Sequence, residues 1–155
     1  MFKKLLSLLL ILAISLSLFG CSTSPIVEDP NVYVNEPIIQ EAIAEDGIYT
    51  RPEEVAEYIH IYEKLPSNYL TKKQAMDLGW ESSKGNLWDV RDKGVIGGDK
   101  FGNREGLLPK KKGRTWYECD VNYEGGYRGG ERIVYSNDGL IFYTNDHYKT
   151  FEQLY

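Results

Sequence analysis

The chain has 155 residues, 42% hydrophobic and 26% charged, enough for one domain with its own core and too few for two ordinary ones. Eighteen Lys and Arg against 23 Asp and Glu leave a net charge of −5, which excludes a globally basic nucleic-acid wrapper but not a local basic site. Two cysteines exclude a disulfide scaffold or a cysteine-rich zinc centre, and two histidines, His60 and His147, leave little for a histidine-built metal site.

Residues 1–20 read as a signal peptide. Lys3 and Lys4 form a positive head, and a largely apolar run of 15 residues follows at 5–19, too short for a comfortable membrane span. Leu18-Phe19-Gly20-Cys21 resembles the lipobox of bacterial lipoproteins, which makes Cys21 the expected site of lipidation. An ordinary secretory signal and an uncleaved anchor are the alternatives, and all three place the protein outside the cytoplasm. Residues 21–46 are expected to be an acidic flexible tether, since they carry Pro25, Pro30 and Pro37, several acids and no base. Residues 47–155 then form the domain, with 16 bases and 17 acids.

Within the domain, Pro52 in a first turn beside Glu53 and Glu54 opens a helix that runs to Leu65-Pro66. Its apolar stripe is Val55, Ile59 and Tyr62, opposite Glu53, Glu57, His60 and Lys64. Thr71 and Gln74 have the spacing of a capping box for a second short helix that Gly79 ends, and Asn86 is placed to cap a third over residues 87–90. After residue 94 the pattern changes to short β-rich runs at 95–96, 115–121, 132–135, 140–144 and 151–154, separated by Gly, Asn and Asp. Asp138-Gly139 suits a hairpin turn. Helices first and strands afterwards predict an α+β fold, with N-terminal helices packed on a C-terminal antiparallel β-sheet.

Alternation in the 115–121 run puts Trp116, Glu118 and Asp120 on one face. Arg128 and Arg132 follow where they can meet those acids, and His147 sits just beyond a strand. A carboxylate, a histidine and two arginines suit phosphoryl transfer: one group takes a proton from the nucleophile, the other gives one to the leaving oxygen, and the arginines hold the phosphate. Lys110, Lys111, Lys112 and Arg114 form a basic run, either a solvated turn or an electrostatic guide for polyanions. Cys119, on the other face from Glu118, reads as a buried structural thiol, and His60 as a solvated surface group.

Several motifs then share an order and spacing with one known family. Tyr62-Glu-Lys-Leu-Pro66, Leu78-Gly-Trp80, Ile96-Gly-Gly-Asp99, Asn103-Arg-Glu-Gly106, Gly113-Arg-Thr-Trp116 and Asp146-His-Tyr148 resemble the barnase family of secreted bacterial guanyl-preferring ribonucleases, over residues 48–155 and without gaps. The resemblance implies the microbial ribonuclease fold. It also implies a metal-independent endoribonuclease that cuts single-stranded RNA after G by transesterification to a 2′,3′-cyclic phosphate, with no cofactor. Carried over residue by residue, Glu118 matches the general base and His147 the general acid. Lys72, Arg128 and Arg132 match the phosphate-binding cations, and Asp120 a buried acid that fixes the arginines. Phe101, Gly102, Asn103, Arg104 and Glu105 match the guanine-recognition loop, and Tyr148 an aromatic that helps hold the base. The expected partners are single-stranded RNA and a small acidic barstar-like inhibitor. A membrane is met only through a lipid at Cys21, and the protein is expected to be a monomer. A surface-tethered, non-catalytic module of the same fold, binding RNA or an inhibitor, is the alternative.

Three positions depart from the family pattern: Gly102 replaces a serine, Glu63 a histidine at a helix C-terminus, and Gly139 a tryptophan. Glu63 is expected to oppose the helix dipole and lower stability. None of the three belongs to the acid–base pair.

Overall fold

The computed structural model describes residues 42–155. The signal segment, Cys21 and the tether up to residue 41 lie outside the described residues. Helix α1, Pro52–Tyr62, starts with proline in its first turn and two acids beside the positive end, and Arg51 at its N-cap makes no side-chain cap. It stops at Tyr62, three residues before the predicted Leu65-Pro66 boundary, because Glu63 turns into the left-handed region at φ 54° while its N–H still donates to Ile59 O. Strand β1 is Tyr69–Leu70. Helix α2, Lys72–Asp77, carries the complete capping box: the Thr71 side chain accepts from Gln74 N, and Gln74 Oε1 accepts from Thr71 N. Helix α3 is the single turn Leu87–Val90. Asn86 does not cap it with its side chain. That amide instead accepts from Glu81 N and donates to Gly79 O, bracing the preceding loop.

Five further strands follow: β2 Val95–Phe101, β3 Trp116–Asp120, β4 Arg132–Ser136, β5 Ile141–Thr144 and β6 Glu152–Gln153. With β1 they form a six-stranded sheet in the order β1 to β6, antiparallel except for the β1–β2 pair. The architecture is the α+β microbial ribonuclease fold. Strand β2 runs five residues past the predicted 95–96 segment, and glycines carry it on. A Cβ on Gly97 would lie 2.5 Å from Cys119 Cβ, and Gly98 takes φ 91° at the bulge between Gly97 and Asp99.

The period-2 alternation divides the sheet as expected. On one face Cys119, Ile133 and Ile141 pack with Val55, Ala56 and Ile59 of α1. Each buried Val or Ile in this cluster contributes roughly 1.5–3 kcal/mol. On the other face Val134 and Phe142 join Trp116 and Leu108, with Phe101, Tyr148 and Phe151 packed at the rim. A further cluster of Leu70, Ala75, Trp80, Leu87, Val95 and Ile96 seats α2 and α3 against the start of the sheet. The strand register puts Glu118 opposite Val134, and Asp120 opposite Arg132, which in turn faces Thr144. The α1-free face therefore carries a row of polar groups embedded in an apolar sheet.

Candidate active site

Glu118 lies mid-strand on that face, with only 12% of its side chain exposed. Lys72 reaches it from α2, donating from Nζ to Glu118 Oε1 at 2.6 Å. The helix is held there because Lys72 N donates to Asp99 Oδ2 at 2.9 Å, and Asp99 pairs with Glu118 across β2 and β3. Tyr148 reaches Glu118 from the other side, its hydroxyl donating to Oε2 at 2.5 Å. Burial alone pushes the Glu118 carboxyl up. The hydrogen bonds from Lys72 and Tyr148, with the charges of Lys72 and Arg132, outweigh that and hold it below the usual carboxylate range. An ionised, half-buried carboxylate with two donors fixed on it is oriented to accept a proton. Burial and the Glu118 charge push the Tyr148 hydroxyl up, so it stays a donor.

Asp120, one pleat along, is buried and gathers both arginines. Arg128 holds it with two bonds, Nε to Oδ2 at 2.6 Å and Nη2 to Oδ1 at 2.7 Å. Arg132 Nε stands 2.8 Å from Oδ1 as an ion pair, but without hydrogen-bond alignment. Its Nη1 donates to Gly129 O and Glu131 O. Of the two acids on that strand face, the arginines contact Asp120, the one that the resemblance assigns to fixing them. Three cations, Lys72, Arg128 and Arg132, thus gather around Glu118 and Asp120.

His147 is exposed on the loop after β5, its ring 4.8 Å from the Tyr148 ring. Both residues have positive φ, 57° and 71°. His147 and Tyr148 line a cleft of about 600 Å³ together with Phe101, Gly102, Asn103, Arg104 and Glu105, so the structure brings the acid candidate and the whole predicted guanine loop into one cleft. Phe101 and Tyr148 pack ring against ring at 5.1 Å. The Asn103 side chain is consumed in bracing the loop: it accepts from Leu108 N and donates to Leu108 O. Any contact from Asn103 to a base therefore comes from its backbone N–H. A Cβ on Gly102 would meet only the Arg104 side chain, at 3.5 Å, so space does not require glycine there.

Half of the basic run at 110–114 is committed elsewhere. Arg114 and Lys111 both bind Asp138 in the β4–β5 turn, at 2.7 Å and 3.0 Å, which removes them from a guide for polyanions and leaves Lys110 and Lys112. Cys119 is buried, and burial pushes its thiol well up, as expected of a structural residue. His60 is surface-exposed and stacks on Tyr155 at 4.1 Å. A larger groove of about 770 Å³ lies on the α1 side, bordered by Glu63, Tyr117, Tyr135 and Gly139, and contains none of the acid–base or phosphate-binding candidates. Two contacts had no signal in the sequence: the Tyr148 hydroxyl on Glu118, and Asp146, whose carboxylate accepts four hydrogen bonds around the His147 loop.

Comparison with known proteins identifies the family. A family model described as ribonuclease matches residues 52–155. A ribonuclease of Heyndrickxia coagulans is 55% identical over 100 residues, covering 64% of this chain and 92% of that protein. A ribonuclease of Bacillus intermedius is 55% identical over 100 residues, covering 64% of this chain and 62% of its own length. Guanyl-specific ribonuclease St of Saccharopolyspora erythraea is 42% identical over 69 residues, covering 44% of this chain and 64% of its own. The matched span contains every acid–base, phosphate and guanine-loop candidate, and it makes the chain an enzyme and not a binding module alone. The chain belongs to the ribonuclease family, as an endoribonuclease of the barnase type.

Proposed function

We propose that this endoribonuclease cuts single-stranded RNA preferentially after G, without a metal ion, and leaves a 2′,3′-cyclic phosphate. The observation that carries the reading is the Glu118 carboxylate, held ionised by Lys72 and by the hydroxyl of Tyr148, a residue that itself lines the cleft with His147 and the guanine loop. RNA supplies its own nucleophile. Glu118 removes the 2′-hydroxyl proton, the 2′-oxygen attacks the adjacent phosphorus in line, and protonated His147 gives a proton to the departing 5′-oxygen. Lys72, Arg128 and Arg132 supply the charge that the pentacoordinate phosphorane needs. Water then opens the cyclic phosphate with the two proton-transfer roles reversed. DNA lacks the 2′-hydroxyl, so it should bind weakly and not be cut.

Base choice follows from donor and acceptor geometry. Guanine presents N1–H and N2–H side by side, and ionised Glu105 can accept both, while backbone N–H groups of the loop meet O6. Adenine offers neither donor, which leaves the carboxylate unpaired at a cost of about 1–3 kcal/mol or more. Phe101 and Tyr148 supply aromatic surface for stacking, which adds affinity that every base shares. Cut-site mapping on a mixed-sequence RNA in EDTA tests the reading. The parent should cut mainly after G, and Glu105→Gln should weaken that preference more than it slows cutting after A. Equal cutting after all four bases would remove the guanine-loop assignment.

The enzyme is proposed to act outside the cytoplasm as a monomer. It is tethered to the membrane by a lipid on Cys21, with residues 21–46 as the spacer. An acidic barstar-like inhibitor is the partner expected to match the cations of the site. Membrane partitioning that Cys21→Ser abolishes supports the anchor, and a fully soluble mature protein starting elsewhere refutes it.

A further inference from the structure

His147 and Tyr148 are consecutive non-glycine residues at φ 57° and 71°. Side chains with a Cβ enter this region only at an energetic cost, and a pair in succession is held there by its surroundings. What holds them is visible. Asp146 Oδ1 accepts from Thr144 Oγ1 at 3.0 Å, Lys149 N at 2.9 Å and Thr150 N at 3.0 Å, and Oδ2 accepts from Thr150 Oγ1 at 2.7 Å. One carboxylate thereby ties the chain before the pair to the chain after it. Thr144 Oγ1 also accepts from Tyr148 N at 3.1 Å. Thr144 itself is 2% exposed and stands in register with Arg132, which stands in register with Asp120. The clamp is thus built onto the same strand row that holds the phosphate arginines.

We infer that Asp146 and Thr144 are positioning residues for both proton-transfer groups: through one clamp they place the His147 imidazole at the leaving oxygen and the Tyr148 hydroxyl on Glu118. This rests on the acid–base reading proposed above. A misplacement of the order of 1 Å in a reacting group typically costs about 10²-fold in rate. The clamp serves geometry and does not titrate while the enzyme works, because its hydrogen bonds, those of Thr150 foremost, hold the Asp146 carboxyl down at about 2. Glu118 is faced by Lys72 from α2, by Asp99 from β2, by Arg132 from β4, by Arg128 from the preceding loop and by Tyr148. Of these, only Tyr148 depends on the clamp.

Two substrates separate positioning from a merely structural role. A guanylyl dinucleotide leaves through a ribose 5′-oxygen that must be protonated. The 4-nitrophenyl ester of guanosine 3′-phosphate leaves as a stable phenolate that needs no proton. The ratio of kcat on the two is independent of how much enzyme is folded. Asp146→Ala should lower kcat on the dinucleotide about 10- to 100-fold, and on the nitrophenyl ester by much less. Asp146→Asn, which keeps an acceptor oxygen for the loop N–H groups, should recover most of the loss. Thr144→Val keeps the buried shape and removes the acceptor for Tyr148 N–H. It should move the acid limb of kcat/KM upward, towards that of Tyr148→Phe, whereas Thr144→Ser should not. An unchanged substrate ratio in Asp146→Ala, or an unmoved acid limb in Thr144→Val, would overturn the inference. His147→Ala serves as the reference. If it leaves the ratio unchanged, the acid assignment fails; if it changes the ratio and Asp146→Ala does not, only the clamp fails.

Discussion

Asp120→Ala is the substitution for which the structure gives the largest and most specific consequence. The Asp120 side chain is 3% exposed and Arg132 4%, while Arg128 is 22% exposed and can swing towards water. Removing the carboxylate strips Arg132 of the counter-charge in contact with it and leaves it the carbonyls of Gly129 and Glu131 and the more distant charge of Glu118. Breaking a buried pair from one side costs about 3–5 kcal/mol, against a typical domain stability of about 5–15 kcal/mol. Taking a urea slope of roughly 2 kcal/mol per molar, the unfolding midpoint should fall by about 1.5–2.5 M with the slope unchanged. The two freed arginines would also be a better anion site. Inorganic phosphate should therefore stabilise Asp120→Ala more than the parent, by up to about 2.7 kcal/mol at a hundredfold excess over its Kd. Urea titrations with and without phosphate read both effects. A loss under about 1 kcal/mol, or equal stabilisation of both proteins by phosphate, would refute the view that Asp120 balances a buried, phosphate-directed arginine pair.

Acid should unfold the domain through identifiable groups. Glu118, Asp138 and Asp146 are all held below their ordinary range, Asp138 by Arg114, Ser136 and Lys111. Since their folded values lie below the unfolded ones, their contribution is complete above about pH 5 and is lost as pH falls from about 4 towards 2. Calorimetry across that window should show it, and a flat melting temperature would contradict it. Glu63→Gly should stabilise by about 0.5–1 kcal/mol. It relieves a left-handed non-glycine residue and removes a negative charge from the end of α1, effects that outweigh the added freedom of the unfolded chain. A lower melting temperature would show that the exposed Glu63 carboxylate does something else.

The parts of the molecule legible in the sequence are those written in local chemistry. The Thr71–Gln74 capping box, the Pro52 start and the period-2 run around Glu118 each state their geometry within a few residues, and each is realised. Parts decided by tertiary contact were less visible. Strand β1 has two residues and exists only because β2 pairs with it. The glycines of β2 look like a turn until Cys119 is seen to need the space. Asn86 has the composition of a cap but spends its amide on Gly79 and Glu81. At the site, residue types announced Glu118, His147 and the arginines, yet which acid meets which cation depended on sheet register. The Asp146 clamp was hidden because an Asp two residues after a strand has the look of any turn residue.

The account stands or falls on Glu118 and His147 acting as a metal-free acid–base pair. The most direct test is the pH dependence of kcat/KM for a guanylyl dinucleotide in EDTA, with the parent, Glu118→Ala and His147→Ala. The parent should give a bell, rising as Glu118 ionises and falling as His147 loses its proton, with a 2′,3′-cyclic phosphate as first product. Each variant should lose at least about 10²-fold and flatten one limb while remaining folded. Activity abolished by EDTA, or a folded His147→Ala as fast as the parent, would contradict it.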